Sequence, residues 1–205
     1  MIFVYFHGAF GYPTENWSPY LRDNLYELGH TYLAPEFPCD DFDEVTDGGP
    51  ETPNKHQRLD NWIQSFDKFY ENELGKVTDK LCFIGHSLAP LFILHVLSNY
   101  PIFLDCAIFV SPFLRSLKNE KYWQFDHVNK TFYKTDFKFD ELRDLIDISY
   151  VLYGDDDPYV PRELFLEFVE KVGGSKIEIR GGRHLGSNFE DAFPLLLELC
   201  KSRIC

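Results

Sequence analysis

The segment LCFIGHSLAPLFILHVL, residues 81–97, decides the fold. It begins with a short apolar run, which predicts a strand buried on both faces, and ends with a longer apolar run, which predicts a helix. Gly85 and Ala89 flank Ser87, and a strand that turns sharply into a helix needs small side chains at these two positions. Pro90 falls in the first helical turn, where its missing N–H has no acceptor to lose. The segment therefore predicts a strand, a tight turn with Ser87 at its apex, and a buried helix.

Apolar runs and helical patterns alternate along the rest of the chain. Strands are predicted at 2–6, 31–35, 81–85, 105–110, 148–153 and 176–180, and helices at 18–28, 56–73, 88–99, 161–172 and 188–202. Ser18 before Pro19 predicts an N-cap at the first helix, and Ser187 with Glu190 a capping box at the last. The alternation predicts an α/β fold with one compact, doubly wound, mostly parallel sheet of about six strands and helices on both faces. We expect a single domain over residues 1–205.

Two segments interrupt this pattern. Residues 36–55 are acidic and rich in Pro and Gly, but Val45 occupies a position where a calcium loop needs Asp or Asn. We expect a solvated loop there rather than a metal site. Residues 112–140 hold many aromatic side chains without a regular period, so both ordinary core packing and a small cap over an apolar pocket are open.

Composition limits the partners and the compartment. The 20 Lys and Arg residues against 33 Asp and Glu give a net charge of −13, which repels nucleic acid phosphates and anionic membrane surfaces. The five cysteines are odd in number and form no disulfide framework, which favours a reducing compartment, and the absence of a Cys-x-x-Cys pair argues against a thiolate zinc site. The run IFVYF after Met1 is too short to span a membrane and lacks the features of a signal peptide. We therefore expect a cytoplasmic protein without nucleic acid or membrane partners.

A nucleophilic serine needs a base, and the base needs a carboxylate that fixes its tautomer. Asp157 follows the strand predicted at 148–153, and His184 follows the one at 176–180. Both positions are carboxyl ends of strands, where α/β folds gather their sites. The order Ser, Asp, His is that of a strand–turn–helix nucleophile with its two partners. We predict Ser87 as nucleophile, His184 as general base and Asp157 as the orienting acid.

Other residues compete for these two roles. Asp157 is preferred because it directly precedes the Pro-Tyr-Val-Pro that starts the next helix, with Asp155 as second choice and Asp156 expected to be solvated. His86 adjoins the serine, but its side chain must diverge from that of Ser87. Structural or surface roles are expected for His30, His56, His95 and His127.

Two backbone N–H groups should bind the oxyanion that forms during acyl transfer. We expect one from Leu88, directly after the nucleophile at a helix N-terminus. The other should come from the first loop, HGAFG at residues 7–11, where Ala9 is preferred and Phe10 is the alternative. The glycines of this loop do not form a nucleotide-binding pattern.

With these residues in place, the chain resembles the small α/β-hydrolase-fold serine hydrolases of the retinoblastoma-binding protein 9 and YdeN type over nearly its whole length. The marks are HG at 7–8, NWSPYL at 16–21, LAP at 33–35, LDNWI at 59–63, GHSL at 85–88 and DDPYVP at 156–161. Carried over by position, the family's triad falls on Ser87, Asp157 and His184. Three features depart from the family: Ala89 replaces a glycine, the acidic loop is long, and Arg183 precedes the histidine.

The resemblance implies hydrolysis of a carboxylic ester or amide through an acyl-enzyme, without metal or organic cofactor. We expect a small-molecule acyl substrate that is small to medium-sized and apolar, because residues 112–140 are too few for a large lid. A non-catalytic binding protein on this scaffold and an acyltransferase with the same triad are the alternatives.

Overall fold

One six-stranded sheet, in the order β2-β1-β3-β4-β5-β6, organises the protein. The computed structural model describes residues 1–133, 136–186, 189 and 192–203. The strands are β1 (Ile2–Phe6), β2 (Thr31–Leu33), β3 (Leu81–His86), β4 (Leu104–Val110), β5 (Ile146–Gly154) and β6 (Ser175–Ile179). All neighbouring strands pair in parallel, so the predicted α/β class is confirmed and the sheet is wholly rather than mostly parallel.

Helices cover both faces of this sheet, as the sequence predicts. They are α1 (Ser18–Glu27), α2 (Phe42–Gly48), α3 (Leu59–Phe69), α4 (Ala89–Asn99), α5 (Trp123–Asn129), α6 (Phe139–Arg143), α7 (Arg162–Val172) and α8 (Pro194–Lys201). Apolar side chains of α1 and α8 pack on one face, and those of α3, α4 and α7 pack on the other. No helix within the described ranges is both long and apolar enough to cross a membrane.

The turn between β3 and α4 is as tight as the sequence predicts. A Cβ atom added at Gly85 would lie 2.8 Å from Ile93 Cδ1 and 2.9 Å from the backbone nitrogen of Pro90. Any larger residue at position 85 would therefore push the helix away from the strand. Helix α4 is buried from Ala89 through Leu97, which fixes the turn in the middle of the protein.

The acidic segment 36–55 is not a solvated loop throughout. It contains α2, whose first turn is capped by Asp41, with the Glu44 N–H donating to the Asp41 carboxylate at 2.9 Å. Asp40 is 8% exposed and accepts from the backbone N–H groups of residues 55–57. Two carboxylates of the acidic segment, those of Asp40 and Asp41, therefore stabilise the fold by accepting backbone hydrogen bonds. The expectation missed the helix because Val45 is its only buried residue and leaves no apolar period.

Three helix boundaries also differ from prediction. The second predicted helix begins at Leu59 rather than residue 56, and its end is a π-helical turn at Tyr70–Leu74. Ser18 does not cap α1. The N-cap residue is Trp17, without a side-chain cap hydrogen bond, and the Ser18 hydroxyl donates to the Pro13 carbonyl at 2.5 Å. The last helix begins at Pro194. Ser187 and Glu190 lie outside the described residues.

Candidate active site

The structure brings Ser87, Asp157 and His184 together at the carboxyl ends of β3, β5 and β6. Ser87 Oγ lies 2.9 Å from His184 Nε2, and His184 Nδ1 lies 2.7 Å from Asp157 Oδ2. Since a carboxylate can only accept, His184 Nδ1 carries a proton, and in the neutral imidazole Nε2 is left to accept the serine proton. The three side chains thus form the hydrogen-bonded chain that abstraction of a proton from Ser87 requires.

Ser87 adopts a backbone conformation that L-residues avoid. Its φ is +61°, in the left-handed region. The Ser87 N–H donates to the Val110 carbonyl at 2.8 Å, so the adjacent strand β4 holds this conformation. Strain of this kind persists only where surrounding contacts fix it, and it aims the hydroxyl out of the turn.

Asp157 is held from two sides. Its side chain is fully buried, and Oδ1 accepts from the backbone N–H groups of Tyr159 and Val160 at 2.9 and 3.0 Å. Its other oxygen is therefore the one that meets His184. The Tyr159 ring then packs edge-on against the His184 ring, with centroids 5.0 Å apart. The Asp157 carboxylate and the Tyr159 ring together fix the plane of the His184 imidazole.

Asp155 and Asp156 contact the same loop as Asp157. Asp155 accepts from the Gly181 N–H at 2.7 Å, and Asp156 accepts from the Arg183 N–H at 2.6 Å. Asp156 is exposed, but it is not merely solvated as expected, because it holds the residue before His184. Three consecutive carboxylates, which we call the carboxylate ladder, thus accept hydrogen bonds from residues 181, 183 and 184. These residues belong to the loop after β6 that carries His184, which we call the histidine loop.

The backbone of His184 is fixed from the opposite side by His86 and Ser111. Both side chains reach the His184 carbonyl oxygen at 2.9 Å. A carbonyl only accepts, so His86 Nε2 carries the proton and donates it. Burial lowers the pKa of His86 to about 3, with the nearby His184 as the next cause. His86 therefore stays neutral and positions the histidine loop, a role that sequence reasoning missed.

The first loop carries the predicted oxyanion donor Ala9. The Phe37 N–H donates to His7 Nε2 at 3.0 Å, so the proton of the neutral ring is on Nδ1, which donates to the Gly8 carbonyl at 3.0 Å. Gly8 oxygen also accepts from the Gly11 N–H at 3.3 Å. Because a trans peptide unit is planar, fixing the Gly8 carbonyl on one side directs the Ala9 N–H to the other. Burial lowers the pKa of His7 to about 4, which keeps this arrangement neutral.

Phe10, the alternative donor, is occupied elsewhere. Its N–H donates to Gln57 Oε1 at 2.9 Å. Gly8 lies directly against Ser87, because a Cβ atom added there would be 3.0 Å from Ser87 Cβ. The loop that carries Ala9 thus approaches Ser87 as closely as a glycine allows.

A cavity of about 180 Å³ opens over Ser87 and His184. One part of its wall is aromatic, formed by Phe10, Phe125 and Tyr159. The Phe125 ring centroid lies 5.6 Å from that of Phe10 and 5.1 Å from that of Tyr159. Glu15 is the only Asp, Glu, Lys or Arg residue that lines the cavity among the residues described. The site is therefore narrow, largely apolar and acidic at one point.

The other histidines lie away from this cavity. His95 meets the Phe132 carbonyl at 2.7 Å, His127 meets the Thr52 carbonyl at 2.7 Å, and the His30 ring contacts Phe3. No group of three or more His, Cys, Asp or Glu side chains in the described ranges is arranged to hold a metal ion. Cys205 lies outside these ranges.

Comparison with known proteins identifies the family of this chain. A family model described as "Serine hydrolase" matches residues 45–193. Comparison with curated proteins finds no match. Among solved structures, the ydeN gene product of B. subtilis superimposes with a TM-score of 0.79 at 20% identity, covering 99% of this chain and 98% of that one.

Two further solved structures share the fold at lower similarity. Est1E from Butyrivibrio proteoclasticus, solved with ferulic acid bound, gives a TM-score of 0.67 at 17% identity, covering 99% of this chain and 87% of that one. A monoacylglycerol lipase from Paleococcus ferrophilus gives a TM-score of 0.62 at 16% identity, covering 98% and 94%. The chain therefore belongs to the serine hydrolase family, and the protein is a hydrolase with the α/β-hydrolase fold.

Proposed function

We propose that the protein hydrolyses a carboxylic ester or amide through an acyl-enzyme on Ser87. The observation that supports this most directly is the hydrogen-bonded chain from Ser87 through His184 to the buried Asp157, with distances of 2.9 and 2.7 Å. The hydrogen-bond directions that this arrangement allows are those that the reaction needs before substrate binds.

The reaction begins when Ser87 Oγ attacks the substrate carbonyl and its proton moves to His184 Nε2. The carboxylate of Asp157 stabilises the imidazolium that forms, and the Leu88 and Ala9 N–H groups donate to the oxyanion. The imidazolium then gives its proton to the leaving group, and the carbonyl re-forms as the acyl-enzyme. Water, activated by His184 in the same way, releases the acid and restores Ser87. No cofactor is needed in these steps.

The cavity favours small to medium apolar substrates. Its volume of about 180 Å³ lies below the ~300–1,000 Å³ of sites that enclose drug-sized ligands. The aromatic wall supplies apolar surface beside Ser87, worth about 0.8 kcal/mol for each methylene it buries. Est1E, a structural neighbour, binds ferulic acid, an aromatic acid, which is in keeping with a planar apolar acyl group on this wall.

We propose that α2 and α5 together act as a small cap within a single domain. Phe42 of α2 and Phe125 of α5 meet with ring centroids 6.2 Å apart, and both rings also contact Phe10. The cap thus combines the acidic segment with residues 112–140. It shapes one wall and is too small to enclose a long lipid chain.

A fluorophosphonate probe tests the nucleophile. We expect the wild type to be labelled at Ser87 and to lose all labelling and ester hydrolysis in Ser87→Ala. Ser98→Ala is the matched control, because Ser98 is an exposed serine whose hydroxyl only donates to the Leu94 carbonyl of its own helix. Labelling that survives Ser87→Ala would contradict the assignment.

The same assays on the wild type distinguish hydrolysis from the two alternative functions. A wild type that neither reacts with the probe nor turns over p-nitrophenyl esters would favour the non-catalytic binding protein. If an added alcohol or amine takes most of the acyl group in competition with water, the protein is an acyltransferase with the same triad. We expect free acid as the main product.

A further inference from the structure

A buried polar network lies beneath the first loop, between that loop and helix α5. Its side chains are Asp40, Asn54, Gln57 and Asn129, of which Gln57 is 0% exposed and Asn129 is 1% exposed. Uncharged amides are costly to bury unless their donors and acceptors are paired, so such a network fixes the relative position of the segments that it joins.

Gln57 stands at the centre of this network. The Phe10 N–H can only donate, so the atom that it meets at 2.9 Å is the side-chain oxygen of Gln57, and this fixes the orientation of the amide. The Gln57 nitrogen then donates to Asn129 Oδ1 at 2.7 Å. One amide group therefore links the first loop directly to the last residue of α5.

The backbone of Gln57 is held as firmly as its side chain. Its N–H donates to Asp40 Oδ2 at 2.9 Å, and its carbonyl accepts from Asn54 Nδ2 at 2.8 Å. Asn54 Nδ2 also donates to the Val128 carbonyl of α5 at 2.7 Å. Gln57 is thus fixed to α5 by two separate routes.

The loop that Gln57 contacts is under strain. Gly8 and Gly11 close a turn around Ala9 and Phe10, and Phe10 sits in it with a φ of +56°. That conformation is unfavourable for a non-glycine residue, so the turn relaxes unless a contact holds it. Gln57 provides such a contact at the central peptide of the turn, directly after Ala9.

We propose that Gln57 is a positioning residue for the oxyanion hole, which ties the strained turn carrying Ala9 to helix α5. This inference rests on the proposed function, in which the Ala9 N–H binds the oxyanion. Because α5 also carries Phe125 in the cavity wall, the substrate-facing wall and the oxyanion donor are joined in one rigid unit. A displacement of α5 is therefore transmitted to the group that stabilises the transition state.

Substitution of Gln57 by Met tests this role. Met has a similar shape but offers no acceptor for Phe10 and no donor for Asn129. We expect kcat for a p-nitrophenyl ester to fall by about 10- to 100-fold with KM changed less than threefold, since loss of a whole oxyanion donor costs about 10²–10³ in kcat. Gln57→Glu keeps the acceptor for the Phe10 N–H but cannot donate to Asn129, so we expect it to recover part of kcat.

A matched control separates positioning from general destabilisation. Leu25 of α1 is fully buried in the core on the other face of the sheet and lines neither the cavity nor the first loop. We expect Leu25→Val to lower the melting temperature while kcat stays within twofold of the wild type. Asn129→Leu should lower kcat in the same direction as Gln57→Met, and the two effects should not add in the double variant, because both act through one chain of hydrogen bonds.

Amide hydrogen exchange at Phe10 keeps the test independent of catalysis. We expect slow exchange in the wild type and faster exchange in Gln57→Met, whether or not the protein hydrolyses the ester. An inactive wild type with this exchange pattern would contradict the proposed function and support the link between Gln57 and the loop. If Gln57→Met retains kcat within twofold, or leaves the Phe10 exchange rate unchanged, the inference is overturned.

Discussion

The two sides of the cleft are held together by different means. On the triad side, the loops after β3, β5 and β6 are joined by short contacts between the carboxylate ladder and the histidine loop. On the recognition side, the first loop, α2 and α5 are joined by aromatic edges and a buried amide network. Charge and backbone geometry dominate the first, and apolar packing with neutral hydrogen bonds dominates the second. Changes on the triad side should therefore affect turnover. On the recognition side, changes in the aromatic edges should affect selectivity, whereas changes in the amide network should affect turnover through the position of Ala9.

The largest effect is expected at Asp157. Asp157→Asn removes the acceptor that holds the proton on His184 Nδ1, and loss of the correct tautomer in a triad costs about 10⁴ in kcat. Asp155→Asn leaves an oxygen that still accepts from the Gly181 N–H, so we expect less than a tenfold loss. Steady-state hydrolysis of a p-nitrophenyl ester measures both. A larger loss in Asp155→Asn would show that the orienting acid is misassigned.

A fall in pH should destabilise both sides of the cleft, because each side contains one neutral buried histidine. The pKa is lowered to about 4 for His7 and to about 3 for His86, chiefly by burial, so the unfolded chain takes up protons that the folded one does not. Their stabilising contribution is complete above about pH 6.5 and is lost as pH falls toward those values. At pH 5 the loss is on the order of 2 kcal/mol for each histidine.

Urea unfolding at pH 7 and pH 5 measures this loss. Gln at position 86 can still donate to the His184 carbonyl but cannot titrate, so His86→Gln should remove about half of the pH dependence. A stability that is equal at the two pH values in the wild type would contradict the assignment of neutral, buried rings.

The aromatic wall should set the preferred acyl length. We expect kcat/KM to rise from acetate to a medium-chain ester and then fall, without a jump above the micelle concentration. Phe125→Ala should enlarge the cavity and shift the optimum to a longer acyl chain, with kcat/KM changing a few-fold at each chain length. A steady rise through long-chain esters in the wild type would instead indicate a lipase with a larger cap.

The smallest effect is expected at Glu15. Its carboxylate should disfavour substrates that carry a carboxylate, by about fivefold, since two exposed charges interact by about 1 kcal/mol. Glu15→Gln should raise kcat/KM for p-nitrophenyl hemisuccinate relative to the butyrate ester, and high salt should reduce the difference. Glu27→Gln changes the net charge equally on the remote part of α1 and should leave the ratio unchanged. If the ratio of kcat/KM for the two esters is equal in both variants, Glu15 has no influence on substrate selection.

The triad side could be predicted from sequence because its signals are local. The Gly85-x-Ser87 turn lies at the end of a buried strand, and residues 157 and 184 lie in the loops that follow two others, so parallel pairing brings these loops to one edge. All six strands and the α/β class are confirmed. The catalytic roles of Ser87, Asp157 and His184 stay a prediction, which their distances make testable.

The contacts that hold the recognition side together could not be predicted, because they join residues distant in sequence and are chemically ordinary. Gln57 meets Phe10 from 47 residues away and Asn129 from 72 residues away, and nothing near it in the chain marks a buried amide. On the triad side, the positioning role of His86 is not predictable either, because its partner is a backbone carbonyl, which any residue could offer. Helix α2 has too few buried positions to create a period.

The carboxylate ladder also has a consequence for how this protein tolerates changes in loop length. Asp155, Asp156 and Asp157 meet residues 181, 183 and 184 in order, and a Cβ added at Gly154 would come within 2.1 Å of the Arg183 carbonyl oxygen. Inserting or deleting one residue between Gly154 and Asp157 would misalign every contact at once. Laboratory evolution should therefore alter the loops after β5 and β6 by substitution alone. Insertions should instead be accepted at residues 49–53, the exposed or half-buried stretch that follows α2.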